Sequence, residues 1–590
     1  MRIILAIGLA ALAASSLTSC NDGNTGGALS TSTTPGTLVE NPPFRIASLS
    51  AAALTAQLNA SPTGQQLLAI SGAPKCGVDF HLMQYATVGG ANPPEQTRAS
   101  GSLMAPTGGA GCSGARPIVE YAHGTSVLSS YNIADPTNQA NDAWQETVMI
   151  AAFFAAQGYI VVAPNYVGYD TQDVATLSYH PYLNAAQQSQ EMIDALAAAR
   201  TALQSGIPSG VTDNGKLFLT GYSQGGHVAM ATHKAMQAAG MTVTASAPMS
   251  GPYALEAFGD AVVTYGNVGL GSTVYYPLVI NSYQHAYGNL YTATTDIYGA
   301  NYATGIDTLL PGPVPDTTLF QEGKLPEFAL FDSTTPVTGT PLDPYLAVPT
   351  NGLFALGFGN PYLIVNGARV QYALDSAASP DGAVPVPSPG VPLATTPQYP
   401  LRVALKKNDM RSWTPNGTTP MLLCGGHNDP EVFFSLNTGT MEAYWPTLIS
   451  SPGTPNVVTV LDVDPDVTAS GIATSVGTLA ATAYANALAG ASPSAAQISS
   501  GVLIAVVSNT AFAPYFTGGV PNSPQGVLVA GVANVAAQAA GLEFTAGVRD
   551  PAAVGAYVGD AINKYYHFPV VQSSCLTAVG GFFLGFHPFN

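Results

Sequence analysis

The stretch that most constrains the fold is residues 217–227, Leu-Phe-Leu-Thr-Gly-Tyr-Ser-Gln-Gly-Gly-His. An apolar run leads into G-x-S-x-G, with the serine at Ser223, and residues of helical composition follow from 228 to 239. Strand, sharp turn and helix in this order are typical of a nucleophile elbow, whose glycines leave room for neighbouring backbone. The motif therefore predicts that Ser223 is a nucleophile and that the backbone N–H of Gln224 faces an oxyanion.

Apolar strands alternate with helices on both sides of this motif. Segments of buried-strand character are 117–121, 158–164, 243–249, 420–424 and 457–463, and the predicted helices include 143–157, 184–205 and 431–437. Strands that are apolar throughout and separated by helices are buried on both faces. The sequence therefore predicts an α/β fold, with a mostly parallel sheet and helices on both of its faces.

The chain is too long for one ordinary core, so we expect a core with insertions. Residues 251–400 are rich in Tyr, Gly, Asn and Pro and lack strand–helix alternation, which indicates an inserted cap. Residues 467–560 are rich in Ala, Val and Gly and indicate a second, helical insertion. The predicted core is then assembled from 46–250, 401–466 and 561–590.

The first 20 residues have the pattern of a bacterial lipoprotein signal peptide. A positive Arg2 and an apolar stretch too short to span a bilayer lead to small residues before Cys20. We expect lipidation of Cys20, a membrane anchor and, because Asn21 follows, an outer-membrane or cell-surface location; an ordinary signal peptide is the alternative. Residues 21–45 have the composition of a flexible tether, and no later apolar run suggests a membrane-spanning helix.

Composition excludes one class of partner. Charged residues make up only 8% of the chain and the net charge is −18, whereas a nucleic-acid phosphate backbone requires a basic patch. We therefore expect no nucleic-acid binding. A low charge content with many apolar residues suits a secreted enzyme that works at apolar surfaces.

Four cysteines remain after Cys20, and an even number in an exported chain indicates two disulfides with three possible connectivities. Cys76 and Cys112 flank an apparent hairpin, so we expect them to pair. We favour Cys424 with Cys575 as the second pair, because such a bridge would hold the candidate catalytic acid and base together, as argued below.

A nucleophilic serine needs a base, and the base needs an orienting carboxylate. Asp429 lies five residues beyond a buried-type strand in a Gly-rich turn, where this fold places its acid. Its rivals are three aspartates at the end of the next strand, Asp462, Asp464 and Asp466.

His567 is the predicted base, because it follows the candidate acids and precedes a helix-like run that would hold it. His587 also follows them, but little chain remains to fix it, and His427 would share a loop with its own orienter. A Cys424–Cys575 bridge would pin the Asp429 loop to the His567 segment.

The second oxyanion donor on this fold comes from the loop after an early strand. That loop is His123-Gly124-Thr125, so we expect the N–H of Thr125 to act beside that of Gln224. Gly124 would let the backbone approach closely, His123 would shape the loop, and His227 would be a packed or capping residue.

Four motifs occur together in order, and with them the chain resembles the secretory-lipase branch of the α/β-hydrolases. They are 121–125 (YAHGT), 164–169 (PNYVGY), 180–183 (HPYL) and 221–226 (GYSQGG). The resemblance covers 76–250 and extends to 418–430 and 560–580. It implies an ester hydrolase with a cap over the acyl pocket. Asn165 departs from the aspartate of many relatives, which leaves the role of that turn open.

Metal and cofactor motifs are missing from the sequence. The alternating carboxylates of 462–466 resemble the start of an EF-hand, but Val467 and Ala473 stand where that loop needs Gly and Glu. We expect neither metal nor cofactor. The residues leave two alternatives to ester hydrolysis: acyl transfer by the same residues, or a non-catalytic surface-binding protein on a hydrolase scaffold.

Overall fold

The computed structural model describes residues 28–29, 32–60, 62–109, 111–171, 174–207, 210–384, 392–449, 457–465, 471–490 and 493–587. Cys20, Asn21 and Asp466 lie outside these residues, so the predicted signal peptide, lipid anchor and outer-membrane location stay predictions.

A sheet of nine strands forms the centre of the molecule. The strands are β1 (Phe44–Leu49), β2 (Gly77–Val88), β3 (Gln96–Thr107), β4 (Gly114–Ala122), β5 (Ile160–Pro164), β6 (Val211–Tyr222), β7 (Ala245–Met249), β8 (Met421–Gly425) and β9 (Val458–Asp462). Their order across the sheet is β9-β8-β7-β6-β4-β5-β3-β2-β1. The six strands from β9 to β5 are parallel, and β3, β2 and β1 continue the sheet antiparallel. The predicted mostly parallel sheet is confirmed.

Eighteen α-helices lie within the described part of the chain. They are α1 (Ala51–Asn59), α2 (Pro62–Ser71), α3 (Trp144–Phe153), α4 (Ala185–Gln204), α5 (Gln224–Ala238), α6 (Leu255–Val263), α7 (Ser272–Tyr287), α8 (Asp316–Gln321), α9 (Asp343–Leu346), α10 (Gly352–Ala355), α11 (Asn366–Ala378), α12 (Pro400–Lys407), α13 (Thr438–Tyr444), α14 (Gly471–Leu488), α15 (Ala495–Val507), α16 (Pro524–Thr545), α17 (Pro551–Tyr565) and α18 (Gln572–Leu584). A π-helical turn, Tyr566–Val571, joins the last two.

Helices cover both faces of the sheet, as its fully apolar strands require. α4 and α5 pack on one face, while α3 and α18 pack on the other. Adjacent residues of β4 show the alternation, because Ile118 belongs to the first core and Val119 to the second. Because the six strands from β9 to β5 are parallel, their carboxyl ends share one edge of the sheet.

The segment between β7 and β8 has a hydrophobic core of its own. Side chains of α6, α7, α11 and α12 form this core together with Tyr182 and Leu183 from the loop before α4. The cap core therefore sits on the loops at the carboxyl edge of the sheet. α12 packs against α6 and α7, so the capping segment extends to Lys407 rather than ending at residue 400 as predicted.

Two buried arginines fix the ends of this segment. Arg402 on α12 bonds Asp260 on α6 through two nitrogens, at 2.8 and 2.7 Å, and Asp375 at 3.0 Å. Arg411 pairs with Asp381 and Asp409 at 2.6 and 2.7 Å. Guanidinium groups suit such paired carboxylates, and loss of one partner leaves an uncompensated buried charge. These pairs hold the cap helices in register with the chain that returns to β8.

The second insertion is helical, as predicted, and consists of four packed helices, α14 to α17. Gly477 of α14 faces Gly555 of α17, where a Cβ on either residue would contact the backbone of the other helix. Its apolar residues join those of α18 and the sheet in one continuous core. The insertion is therefore an extension of the core around the sheet rather than a separate unit.

One helix in the described part of the chain, α16, is long and apolar enough to cross a membrane by length and composition. The sequence-based expectation of no such segment is wrong in that sense. Most of α16 is nevertheless buried among the other helices, which is typical of a core helix.

Two local predictions are also wrong. Residues 36–45 are not part of a tether, because Leu38 and Val39 are buried and their backbone pairs with β2, ahead of edge strand β1. Residues 431–437 are turns rather than a helix, and α13 begins only at Thr438. In both segments tertiary contacts outweigh local composition.

Both predicted disulfides are present. Cys76 pairs with Cys112 across 36 residues, beside the β2–β3 hairpin. Cys424 at the end of β8 pairs with Cys575 of α18 across 151 residues. The second bridge links α18 to strand β8, in the parallel part of the sheet.

Replacing both cysteines of the longer bridge (Cys424→Ser/Cys575→Ser) should lower the melting temperature. Chain entropy assigns about 5 kcal/mol to a loop of this length and about 4 kcal/mol to the Cys76–Cys112 loop. Hydrogen exchange should rise selectively around residues 424–430 and 567–575. The matched control is Cys76→Ser/Cys112→Ser, and an identical exchange pattern in both variants would contradict the local role of the longer bridge.

Candidate active site

Ser223 stands at the turn between β6 and α5, with backbone φ of 59° and ψ of −122°. This strained conformation is held because the turn packs tightly against the end of β4. A Cβ on Gly225 would overlap the carbonyl of Ala122, and one on Gly221 would overlap the carbonyl of Gly225. The elbow geometry therefore requires glycine on both sides of the serine, and Ser223 itself is half-buried.

His567 and Asp429 meet at the same edge of the sheet. The His567 Nδ1 lies 2.6 Å from the Asp429 Oδ2, and both side chains are buried. The other oxygen of Asp429 accepts the backbone N–H groups of Glu431 and Val432, at 3.0 and 3.1 Å. The carboxylate is thus fixed in orientation, and it orients the imidazole in turn.

The remaining nitrogen of His567, Nε2, is buried and has no hydrogen-bond partner among the described residues. Tyr222, the neighbour of Ser223, packs its ring on that of His567, with centroids 4.9 Å apart. The Tyr222 hydroxyl also donates to the backbone carbonyl of His567. The nucleophile turn and the histidine turn are therefore joined directly, with one imidazole nitrogen left free.

A second carboxylate, Glu431, acts on His567. Glu431 follows Asp429 by two residues, and its Oε2 accepts a hydrogen bond of 2.6 Å from Tyr275 on cap helix α7. Burial lowers the pKa of His567, but the charge and hydrogen bond of Asp429 and the charge of Glu431 outweigh it, and the net shift of the pKa is upward. Both carboxylates thus favour the imidazolium form.

Gln224 is the first residue of α5, so its N–H is outside the intrahelical ladder. Its side-chain amide donates to the Nε2 of His180 at 2.6 Å, and the opposite nitrogen of that ring donates to the Val167 carbonyl at 2.9 Å. Burial lowers the pKa of His180 to about 3, so the ring is neutral and can accept in this way. His180 therefore anchors the residue that carries the predicted oxyanion donor.

The 123–125 loop lies beside the elbow. A Cβ on Gly124 would stand 3.7 Å from the Ser223 Cβ, which is an ordinary contact. The loop is therefore close to the elbow, but this approach does not require the glycine that the sequence analysis invoked. The Thr125 hydroxyl lies 2.7 Å from that of Tyr182. The two nitrogens of His123 lie 2.6 Å from the Gly124 carbonyl and 3.0 Å from the Asn165 carbonyl. His123 thus joins this loop to the neighbouring turn.

Asn165 connects its own turn to the loop at 132–133 and to strand β3. Its amide accepts the N–H of Ile133 at 2.7 Å and donates to Ser100 at 2.8 Å and Asn132 at 3.3 Å. A carboxylate in this place has no N–H to donate. The turn that departs from the family pattern is therefore a structural junction behind the site.

The rival residues lie elsewhere. His587 contacts Arg116 near the amino end of β4, at the opposite edge of the sheet from Ser223. His227 binds the Asn408 carbonyl at 2.9 Å and is buried in α5. His427 pairs with Asp462 at 2.7 Å on the surface of the acid loop.

A cavity of about 310 Å³ lies between the cap and the acid loop. Aromatic side chains of both parts line it, including Tyr265, Phe354, Phe433 and Phe434, and it reaches Asp429. Ser223 is not among the described residues that line it. The cavity borders the site on the side of the acid.

Sequence reasoning missed Tyr222, His180, Glu431 and Tyr275. Tyr222 and His180 lie within motifs that drew attention, but their side-chain contacts depend on the fold. The signal available for Glu431 was its position in the sequence, two residues after the predicted acid. Tyr275 comes from the cap, where the sequence carried no pattern.

Residues 139–241 match the family model described as secretory lipase. The fold is similar to a ligand-bound form of the rice cell wall degrading esterase LipA from Xanthomonas oryzae, with 27% identity and a TM-score of 0.54 over 72% of this chain and 91% of that one. The fold also aligns with Candida antarctica lipase A, with a TM-score of 0.37 and 13% identity over 66% of this chain and 73% of that one. This alignment is weaker and supports no inference. No curated protein sequence matches the chain.

The sheet order, the elbow and the matched segment define an α/β-hydrolase. Residues 139–241 are similar to secretory lipases, and this similarity together with that to an esterase supports a hydrolase.

Glu431→Gln should move the acidic limb of the pH–rate profile to lower pH. As the predicted base, His567 must be neutral to act, and removal of the Glu431 charge lowers its pKa. The measurement is kcat/KM for a nitrophenyl ester against pH. Tyr275→Phe keeps the charge and should not move the limb downward, and neither should Glu442→Gln at an exposed position. An unchanged limb in Glu431→Gln would contradict the electrostatic role.

Proposed function

We propose that the chain is a serine esterase that hydrolyses carboxylic esters of lipids or other apolar compounds through an acyl-enzyme. The observation that carries the proposal is the His567–Asp429 hydrogen bond, with the free Nε2 of His567 held beside the nucleophile elbow. A buried imidazole with one nitrogen bound by a carboxylate and the other open is the arrangement that general-base catalysis needs.

The reaction proceeds in two halves. Ser223 Oγ attacks the ester carbonyl as His567 Nε2 takes its proton, and Asp429 stabilises the imidazolium. The N–H groups of Gln224 and Thr125 stabilise the oxyanion, and the imidazolium returns its proton to the leaving alcohol. Water then attacks the acyl-serine. His567 Nε2 takes the proton of that water and returns it to Ser223 Oγ as the acid product leaves. Side chains and backbone N–H groups of the protein, together with water, supply every group that these steps use.

The apolar substrate class is supported by the cap. Its core is rich in tyrosine and aliphatic side chains, and it rests on Tyr182, whose hydroxyl meets that of Thr125. The similarity to a cell wall degrading esterase and the secretory-lipase match extend the candidates from lipids to other apolar esters.

The secretory-lipase match supports export, and we propose further that Cys20 carries a lipid anchor at the cell surface. Cys20 lies outside the described residues, so this assignment depends on the signal pattern alone. Incorporation of labelled palmitate, lost in Cys20→Ser, tests it.

Ser223→Ala should abolish ester hydrolysis with the fold intact. Loss of the nucleophile costs on the order of 10⁶ in kcat. The assay is hydrolysis of a chain-length series of nitrophenyl esters, with circular dichroism as the folding control. Activity within about tenfold of the parent would remove Ser223 from the mechanism.

His567→Ala should be nearly as damaging, because the three groups act as a unit. His587→Ala is the matched control and should be mild, since that ring contacts Arg116 at the opposite edge of the sheet. The reverse result would transfer the base to His587.

Two alternatives remain on the same scaffold. Acyl transfer to an alcohol would use the same residues, and product analysis with added alcohol separates it from hydrolysis. A non-catalytic binding protein would fail to react with a fluorophosphonate probe, whereas we expect labelling at Ser223.

A further inference from the structure

His427 lies at the end of β8, and Asp462 and Asp464 lie at the end of β9. The His427 Nδ1 is 2.7 Å from the Asp462 Oδ2 and 3.7 Å from the Asp464 Oδ2. One ligand atom from each residue can be chosen so that all three lie within 4.8 Å of one another. Because β8 and β9 are neighbouring parallel strands, their carboxyl ends bring the three side chains together.

The carboxylate of Asp464 is the unusual member of this group. Its side chain is fully buried, and its Oδ2 accepts the backbone N–H of Asn428 at 2.6 Å. Its Oδ1 accepts no hydrogen bond from any residue that the structure describes. A buried carboxylate oxygen without a donor is costly, and a coordinated cation would compensate it.

The other two side chains leave the group open to solvent on one side. His427 and Asp462 each expose more than a third of the side chain. The backbone already orients Asp462, whose Oδ1 accepts the N–H groups of His427 and Asp464 at 3.2 and 3.0 Å. An ion can therefore enter from solvent, and the carboxylate of Asp462 is already oriented to bind it.

We propose that His427, Asp462 and Asp464 form a binding site for Zn²⁺. One imidazole and two carboxylates are ligands that Zn²⁺ accepts, whereas Ca²⁺ and Mg²⁺ prefer oxygen alone. Zn²⁺ would bind His427 Nδ1 in place of its contact with Asp462, and the single proton of the neutral ring would then sit on Nε2. Solvent would complete the coordination.

The ion would act on the acid loop. His427 precedes Asp429 by two residues, and the intervening Asn428 is already bonded to Asp464. A cation here would link His427 to the end of β9, in addition to the hydrogen bond that already links Asn428 to it. Its role is structural, and the proposal does not rest on the proposed esterase function.

The test is isothermal titration of the chelator-treated full chain with ZnCl₂. We expect one equivalent of Zn²⁺ to bind and a melting temperature that rises with Zn²⁺. His427→Gln and Asp464→Asn should each weaken binding by at least about tenfold. His427 is partly exposed, so its variant keeps the test valid if Asp464→Asn fails to fold.

Matched controls are His285→Gln and Glu322→Gln, exposed residues away from the site, which should bind as the parent does. Absence of binding in the parent would overturn the proposal, and so would undiminished binding in His427→Gln. A response to CaCl₂ equal to that to ZnCl₂ would overturn the choice of ion. None of these results depends on ester hydrolysis.

Discussion

The hydrogen bond between His567 and Asp429 is the contact on which the rest of the site depends. It joins residues 138 positions apart, with a four-helix insertion between them. Proton transfer requires that both groups stay within fractions of an ångström of their working positions. The structure meets that demand with several independent supports: the Cys424–Cys575 bridge behind the pair, the Tyr222 hydroxyl on the histidine backbone, and two N–H groups on the carboxylate.

Burial and charge oppose one another at this contact. Burial favours a neutral imidazole, whereas Asp429 and Glu431 favour the imidazolium form. Glu431 in turn is held by a tyrosine of the cap. Cap position and the basicity of the histidine are therefore connected through one side chain, so movement of α7 would change both together.

Much of this was predictable from sequence because local patterns carried it. The elbow at Ser223, the apolar strands and the spacing of cysteines and acid all have short-range causes, and the fold and the disulfides follow from them. The failures have long-range causes. Residues 36–45 have the composition of a linker, but they pack because β2 offers an open edge. Residues 431–437 form turns instead of a helix, because backbone N–H groups of this segment bind Asp429. The group of His427, Asp462 and Asp464 has no motif, since two strand ends create it.

The order of the groups along the chain has a consequence for synthesis. Ser223 and the two proposed oxyanion donors lie before residue 225, whereas His567, the proposed base, follows both insertions. Any shorter product of translation or proteolysis that ends before residue 567 would lack the proposed base. On the proposed mechanism such fragments would be inert toward esters inside the cell that makes them.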